Sequence, residues 1–226
     1  MVTGANSGIG LEFVRQLLAR NNKVVATIRQ SCPALEALKS SHGDSLVLTS
    51  LDQCDQTSIT AWVRDLKAKA ITPDFVLNNA GVYGKRGRFG EFTQEDLIFP
   101  FQVNTVGVLL VVQELVSAGL LKPGALIGNM SSKMGSMADN GSGGSYAYRA
   151  SKAAQNAISK SMAIDLKRDL DVTTVLLHPG YVRTRMTGGE GLIDVEECVS
   201  GLLAVIESDR ELNGRWYDFA GKEIPF

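Results

Sequence analysis

The sequence predicts an α/β fold: a single doubly wound parallel sheet of the Rossmann type, about seven strands wide, with helices on both faces. Short apolar, β-branched runs alternate with segments of helical periodicity along the whole chain, and such a repeat demands a parallel sheet covered on both sides. Right-handed crossovers leave few topologies, of which the doubly wound one is the commonest. A glycine cluster, Gly4-Ala5-Asn6-Ser7-Gly8-Ile9-Gly10, separates the first apolar run from the first helical pattern. A nucleotide loop belongs there in such a fold.

In chain order, Met1 to Thr3 is the first apolar run. The first strand of this fold sits at the sheet centre and ordinarily takes about five residues. Either that strand is very short or the natural chain begins upstream. The second is expected, because a charged α-amino group in mid-sheet is costly to bury. Ile9, Phe13, Leu17 and Leu18 give Gly8 to Arg20 helical spacing. Lys23 to Ile28 is a strand, Leu35 and Leu38 mark a short helix after Pro33, Leu46 to Leu51 is a strand, Ile59 to Ala70 a helix and Phe75 to Leu77 a buried strand. Thr93 opens a long helix with Asp96 at capping-box distance, and Pro100 is expected to end or kink its first turns. Ala125 to Met130, Tyr146 to Arg168, Val172 to Leu177, Val195 to Glu207 and Trp216 to Phe219 continue the alternation.

One domain over residues 1–226 is expected, since no linker, repeat or low-complexity tract interrupts the chain. A length of 226 residues with 44% hydrophobic content suffices to bury a full core. A formal charge of -1 without a basic block argues against nucleic acid or an anionic membrane as partner. The longest apolar run, Val106 to Leu121, is interrupted by Gly107, Gln113, Glu114 and Gly119 and falls short of the roughly 18 residues of a membrane span. No signal-peptide pattern is present. Cys32, Cys54 and Cys198 lack metal-ligand spacing, and an odd count builds no disulfide framework. Buried or inert thiols in a reducing, cytoplasmic setting are expected, with organellar import through a removed leader left open. His42 and His178 have no companion ligand and read as structural, so no metal is expected.

The chemistry centres on Tyr148 and Lys152. Helical neighbours at i and i+4 share a face, so the ammonium is expected beside the phenol, where a cation favours the phenolate. Such a pair is a tuned acid/base. The glycine run offers a tight turn, close backbone approach to a pyrophosphate, and a helix N-terminus facing its charge.

Thr3-Gly4 with Gly8 and Gly10, Asn78-Asn79-Ala80-Gly81, Asn104, Met130-Ser131-Ser132, Tyr148 with Lys152, and Pro179-Gly180 occur in one order along the chain. Together they resemble the short-chain dehydrogenase/reductase family. The stretch around Tyr148 and the short tail are most similar to its C-factor-like branch, which includes sniffer-type carbonyl reductases. The resemblance implies a catalytic set of Asn104, Ser132, Tyr148 and Lys152. In that reading Tyr148 protonates a carbonyl oxygen as hydride arrives, and Ser132 hydrogen-bonds the same oxygen. Lys152 holds the nicotinamide ribose, and Asn104 anchors a water that links Lys152 to solvent. Ser131 is read as a strand-end residue and Tyr146 as a wall of the substrate cleft. The family usually places its tyrosine closer to the serine than the sixteen residues that separate Ser132 from Tyr148 here. The glycine-rich loop absorbs the difference.

The implied cofactor contacts are Gly4, Asn6, Ser7, Gly8, Ile9, Gly10, Arg29, Asp52, Gln53, Asn79, Ala80, Gly81, Tyr148, Lys152, Pro179, Gly180, Val182 and Thr184. Asp52 matches an adenine contact, Asn79 and Gly81 lie near the adenosine ribose, and Val182 and Thr184 match carboxamide contacts. About twenty residues past the glycines, where an NAD site carries an acid, the chain reads Val25-Ala26-Thr27-Ile28-Arg29. Arg29 suits a 2′-phosphate, so NADP(H) is expected over NAD(H). Ser7 stands where many NADP enzymes of the family carry a second basic residue.

An NADP-dependent reductase of aldehydes, ketones or quinones is the favoured activity; a cofactor-sensing scaffold without turnover is the alternative. The short stretch from Thr184 to Asp194 predicts an open cleft. Val108, Leu115, Ala154 and Ile158 give two helices more apolar surface than one sheet face needs, which predicts a homodimer or homotetramer.

Overall fold

The computed structural model describes residues 1–226. Its strands are β1 (Val24–Ile28), β2 (Leu46–Ser50), β3 (Phe75–Asn78), β4 (Leu126–Met130), β5 (Thr173–His178) and β6 (Trp216–Asp218), all paired in parallel. Val2 bridges Ala26 of β1 and Leu77 of β3. The order across the sheet is therefore β2, β1, the Met1–Thr3 segment, β3, β4, β5, β6. The Met1–Thr3 segment fills the central position through these single bridges. Val2 donates to the Val25 carbonyl at 2.8 Å and Thr3 to that of Leu77 at 3.0 Å. The Met1 amine donates to the Phe75 carbonyl at 2.8 Å, and burial pulls it down to about 5.

Successive strand residues point to opposite faces, and both faces here are apolar. Ala26, Leu77 and Val175 pack with Phe13 and Leu17 of α1 (Gly8–Ala19), Leu35 of α2 (Pro33–His42) and Leu202 of α7 (Val195–Ile206). Val25, Val76 and Ile127 pack with Ile59 and Leu66 of α3 (Gln56–Ala68), Val111 and Leu115 of α5 (Gly107–Ser117) and Met162 of α6 (Tyr146–Leu170). The doubly wound architecture is the one predicted.

Thr93 and Asp96 form the expected capping box at the start of α4 (Gln94–Phe101). Pro100 does not end the helix. It removes one amide donor, and the chain widens into a single π-helical stretch, Gln102–Val106, before continuing as α5. The rod from Gln94 to Ser117 is long and apolar enough by composition to cross a membrane, with mean hydropathy 1.4, yet its most apolar stretch is 44% buried within the fold. Val108 and Leu115, expected to face outward, are core residues. The outward apolar groove between α5 and α6, about 440 Å³, is lined instead by Leu109, Val116, Ile158 and Leu166 among others. All three cysteines are free, and Cys54 is exposed rather than buried.

Candidate active site

The cofactor side is assembled from backbone. Gly4 adopts φ +63°, and a Cβ on Gly10 would stand 2.4 Å from the Gly4 carbonyl oxygen and 2.5 Å from Asn79 Nδ2. Only glycine allows that approach. The loop is stitched to the end of β3. Thr3 Oγ1 accepts from the amides of Asn79 and Ala80, both at 3.0 Å, and Asn79 Nδ2 donates to the carbonyls of Thr3 (2.9 Å) and Gly4 (3.2 Å). Gln53 is likewise turned inward, its Nε2 donating to the carbonyls of Ala80 at 3.1 Å and Val103 at 2.8 Å. The side chains of Asn79 and Gln53 therefore brace the loop from within.

Helix α1 begins on exposed Ser7, whose side chain caps nothing, and no acid occupies its first turn. Its amides and the positive end of its dipole are left to an anion. Asn6 is exposed, and its carbonyl accepts from the Cys32 thiol at 3.2 Å; Ile9 is half-buried. Arg29 is exposed just beyond β1. Its charge acts on the Cys54 thiol, which places it beside the turn where the Asp52 carboxylate accepts from the Cys54 amide at 3.0 Å. The Thr184 methyl lies 3.4 Å from where a Gly8 Cβ would be. Pro179 and Gly180 are half-buried, and Val182 is buried and bridges Ile193. The segment after β5 thus closes over the glycine loop. A phosphate-bearing dinucleotide fits this arrangement: glycines at the closest approach, an uncapped helix end, and a cation at the strand edge.

The other side of the cleft is made of buried side chains. Ser132, just past β4, caps the following turn by accepting from the Met134 amide at 3.2 Å. Ser131 ends the strand as expected, donating to Asn156 Oδ1. Tyr148 lies in the first turn of α6, entered through Ser145 in the left-handed region at φ 51°. Burial pushes the Tyr148 phenol up to about 12; the Ser132 hydroxyl opposes this and Tyr83 adds to it. Asn104 sits in the π-helical stretch and is fully buried. Its Oδ1 accepts from the Val82 amide at 2.9 Å, and its Nδ2 donates to the Val82 carbonyl at 2.8 Å and to Ser151 Oγ at 3.0 Å. Gly81 runs alongside, its missing Cβ 3.1 Å from Asn104 Oδ1.

One expectation is corrected. Lys152 Nζ makes no hydrogen bond to the phenol; it lies over the Tyr148 ring at 5.9 Å from its centre, the outer edge of cation–π reach. It donates to the Met130 carbonyl at 2.7 Å and to Gln155 Oε1 at 2.8 Å, and burial pulls it down to about 7. The helix does place both residues on one face. The flexible lysine stem then finds two acceptors between α6 and β4, and a desolvated ammonium takes those over an uncharged ring.

Two residues of this region escaped the sequence reading. Tyr83 stacks on Tyr148 with ring centres 4.7 Å apart and an angle of 22°. Its hydroxyl bonds Ser145 Oγ at 2.5 Å, and the Arg86 guanidinium lies 4.4 Å over its ring. Its place two residues beyond Gly81 was the available signal. Gln155 is the other, and its i+3 spacing from Lys152 already put it on the same helix face. Tyr146 packs on Phe89 and Phe92, at 5.8 and 5.5 Å between ring centres, and is 41% exposed, consistent with a cleft wall.

The short chain dehydrogenase family model matches residues 1–191. C-signal of Myxococcus xanthus is 40% identical over 156 residues, which is 68% of this chain and 92% of that protein. The NADPH-bound carbonyl reductase from chicken fatty liver superposes with a TM-score of 0.89 at 31% identity, covering 100% of this chain and 97% of that one. Carbonyl reductase Sniffer of D. melanogaster gives 0.90 at 29% identity, covering 99% and 97%. With the glycine loop, the β3 brace and the cleft already in place, these matches settle the family: the chain is a short chain dehydrogenase.

Proposed function

We propose that the protein is an NADP(H)-dependent reductase of aldehydes, ketones or quinones, with Asn104, Ser132, Tyr148 and Lys152 as its working set. The observation that carries this reading is the buried Tyr148 phenol beside the Ser132 hydroxyl, in a chain whose glycine loop leads into an uncapped helix end and whose Arg29 stands exposed beyond β1. A nicotinamide bound there supplies hydride. Tyr148, held protonated through neutral pH, gives its proton to the carbonyl oxygen, and Ser132 donates a hydrogen bond to the same atom. Lys152 holds the ribose hydroxyls. Asn104 fixes the Val82 backbone and Ser151 around Lys152. Arg29 takes the 2′-phosphate, in keeping with the NADPH bound to the chicken enzyme.

The groove between α5 and α6 supports a homodimer or homotetramer. Light scattering at micromolar concentration checks this, and a monomer would refute it. The activity is tested by following loss of reduced-nicotinamide absorbance with a panel of aldehydes, ketones and quinones. Tight NADPH binding without turnover on any of them would favour a cofactor-sensing scaffold.

A further inference from the structure

We infer that Gln155 is a positioning residue: its side-chain oxygen holds the Lys152 ammonium toward β4, in competition with the nicotinamide ribose. This rests on the reading of Lys152 as the ribose-holding residue.

Gln155 is 1% exposed and Lys152 4%. A buried ammonium has three donors to satisfy, and Gln155 Oε1 and the Met130 carbonyl supply two acceptors at 2.8 and 2.7 Å. Both draw Nζ toward β4. Nothing charged competes: no carboxylate pairs with Lys152, its depressed titration is caused by burial alone, and the titratable group facing it from α6 is Tyr148. The neighbours on the same inner face, Asn156 and Ser159, are uncharged and engaged with Ser131 and Asn129. Met130 contributes a backbone atom that no substitution removes. Gln155 is the replaceable one of these two acceptors, and it touches neither Tyr148 nor the glycine loop in the hydrogen-bond network.

The consequence has a sign. Gln155→Leu keeps the volume and deletes the competing acceptor, so the ribose hydroxyls win Lys152 more easily. Gln155→Glu replaces a neutral acceptor by one that grips an ammonium harder. NADPH titrated by fluorescence should bind about threefold to tenfold tighter to Gln155→Leu and weaker by a similar factor to Gln155→Glu, the size of one hydrogen bond. NADH should shift in parallel, because the nicotinamide ribose is common to both. A merely structural glutamine would move both variants the same way.

A second measurement needs no cofactor. The Lys152 side-chain NMR signal, followed against pH in the empty enzyme, should titrate lower in Gln155→Leu and higher in Gln155→Glu, by about half a unit or more. Opposite shifts in the two variants establish the role; no shift in either overturns it, as does equal loss of NADPH affinity in both. If Gln155→Leu does not fold, Gln155→Glu against the unmodified enzyme decides both readouts. Failure of the unmodified enzyme to bind NADPH would sink the proposed activity, and the NMR titration would still decide Gln155.

Discussion

The two walls of the cleft are built on opposite principles. The wall of Gly4 to Gly10, Asn79 and Gln53 is backbone held by inward-facing braces, with its electrostatics left at the surface in Ser7, Arg29 and an uncapped helix end. The wall of Ser132, Tyr148 and Lys152 is side chain, nearly closed to solvent, with ionisation displaced by burial. One wall offers shape and a field for a large, charged, exchangeable ligand. The other offers groups whose proton affinity depends on being kept dry. Substitutions on the first should therefore act on binding and folding, and those at Ser132 and Tyr148 on turnover, while Lys152, which also meets the ribose, joins the two.

The sharpest test is Tyr148→Phe. It keeps the ring and its stack on Tyr83 and removes the proton, so turnover should fall by about 100-fold or more, while NADPH affinity measured by fluorescence stays nearly intact. Near-normal turnover would move the proton elsewhere and erase the contrast between the walls. Arg29→Ala probes the field of the first wall. NADPH binding should weaken by about 1.5 to 3 kcal/mol, the worth of a charge-assisted hydrogen bond, with NADH unchanged; equal losses for both would refute the 2′-phosphate assignment.

Gly10→Ala tests shape rather than charge. Its methyl would meet the Gly4 carbonyl oxygen and the Asn79 amide, and such overpacking costs about 1 to 3 kcal/mol. Denaturant unfolding should show that loss and titration a matching fall in affinity for both NADPH and NADH. The smallest effect is expected from Tyr83→Phe. It retains the stack on Tyr148 and deletes the bond to Ser145, a change of about 0.5 to 1.5 kcal/mol. It should appear in kcat/KM and leave cofactor affinity alone; a loss of cofactor affinity instead would place Tyr83 on the wrong wall.

The two walls also differ in how plainly they could be read beforehand. The glycine loop was visible because glycine at fixed spacing is a direct record of where backbone must turn and approach. The stitching of Asn79 to Thr3 and Gly4 was not, since it joins residues more than seventy positions apart. Asp96 announced its capping box with Thr93 through local spacing. Pro100 announced a disturbance but not its form, because tertiary packing carries the helix on through a π-helical stretch.

By itself the sequence determined the alternation of strands and helices, the two apolar faces of the sheet, and the presence of Tyr148, Lys152, Ser132 and Asn104 in one chain. These follow from period, composition and local spacing. Tertiary structure alone decided that Lys152 turns to Met130 and Gln155 instead of Tyr148, that Val108 and Leu115 face inward, and that Tyr83 lies on Tyr148. The physical reason is common to all three. A side chain's final direction is chosen by which partners the packed elements bring within reach and by how much water they exclude, and neither quantity is written in the spacing of residues along one helix.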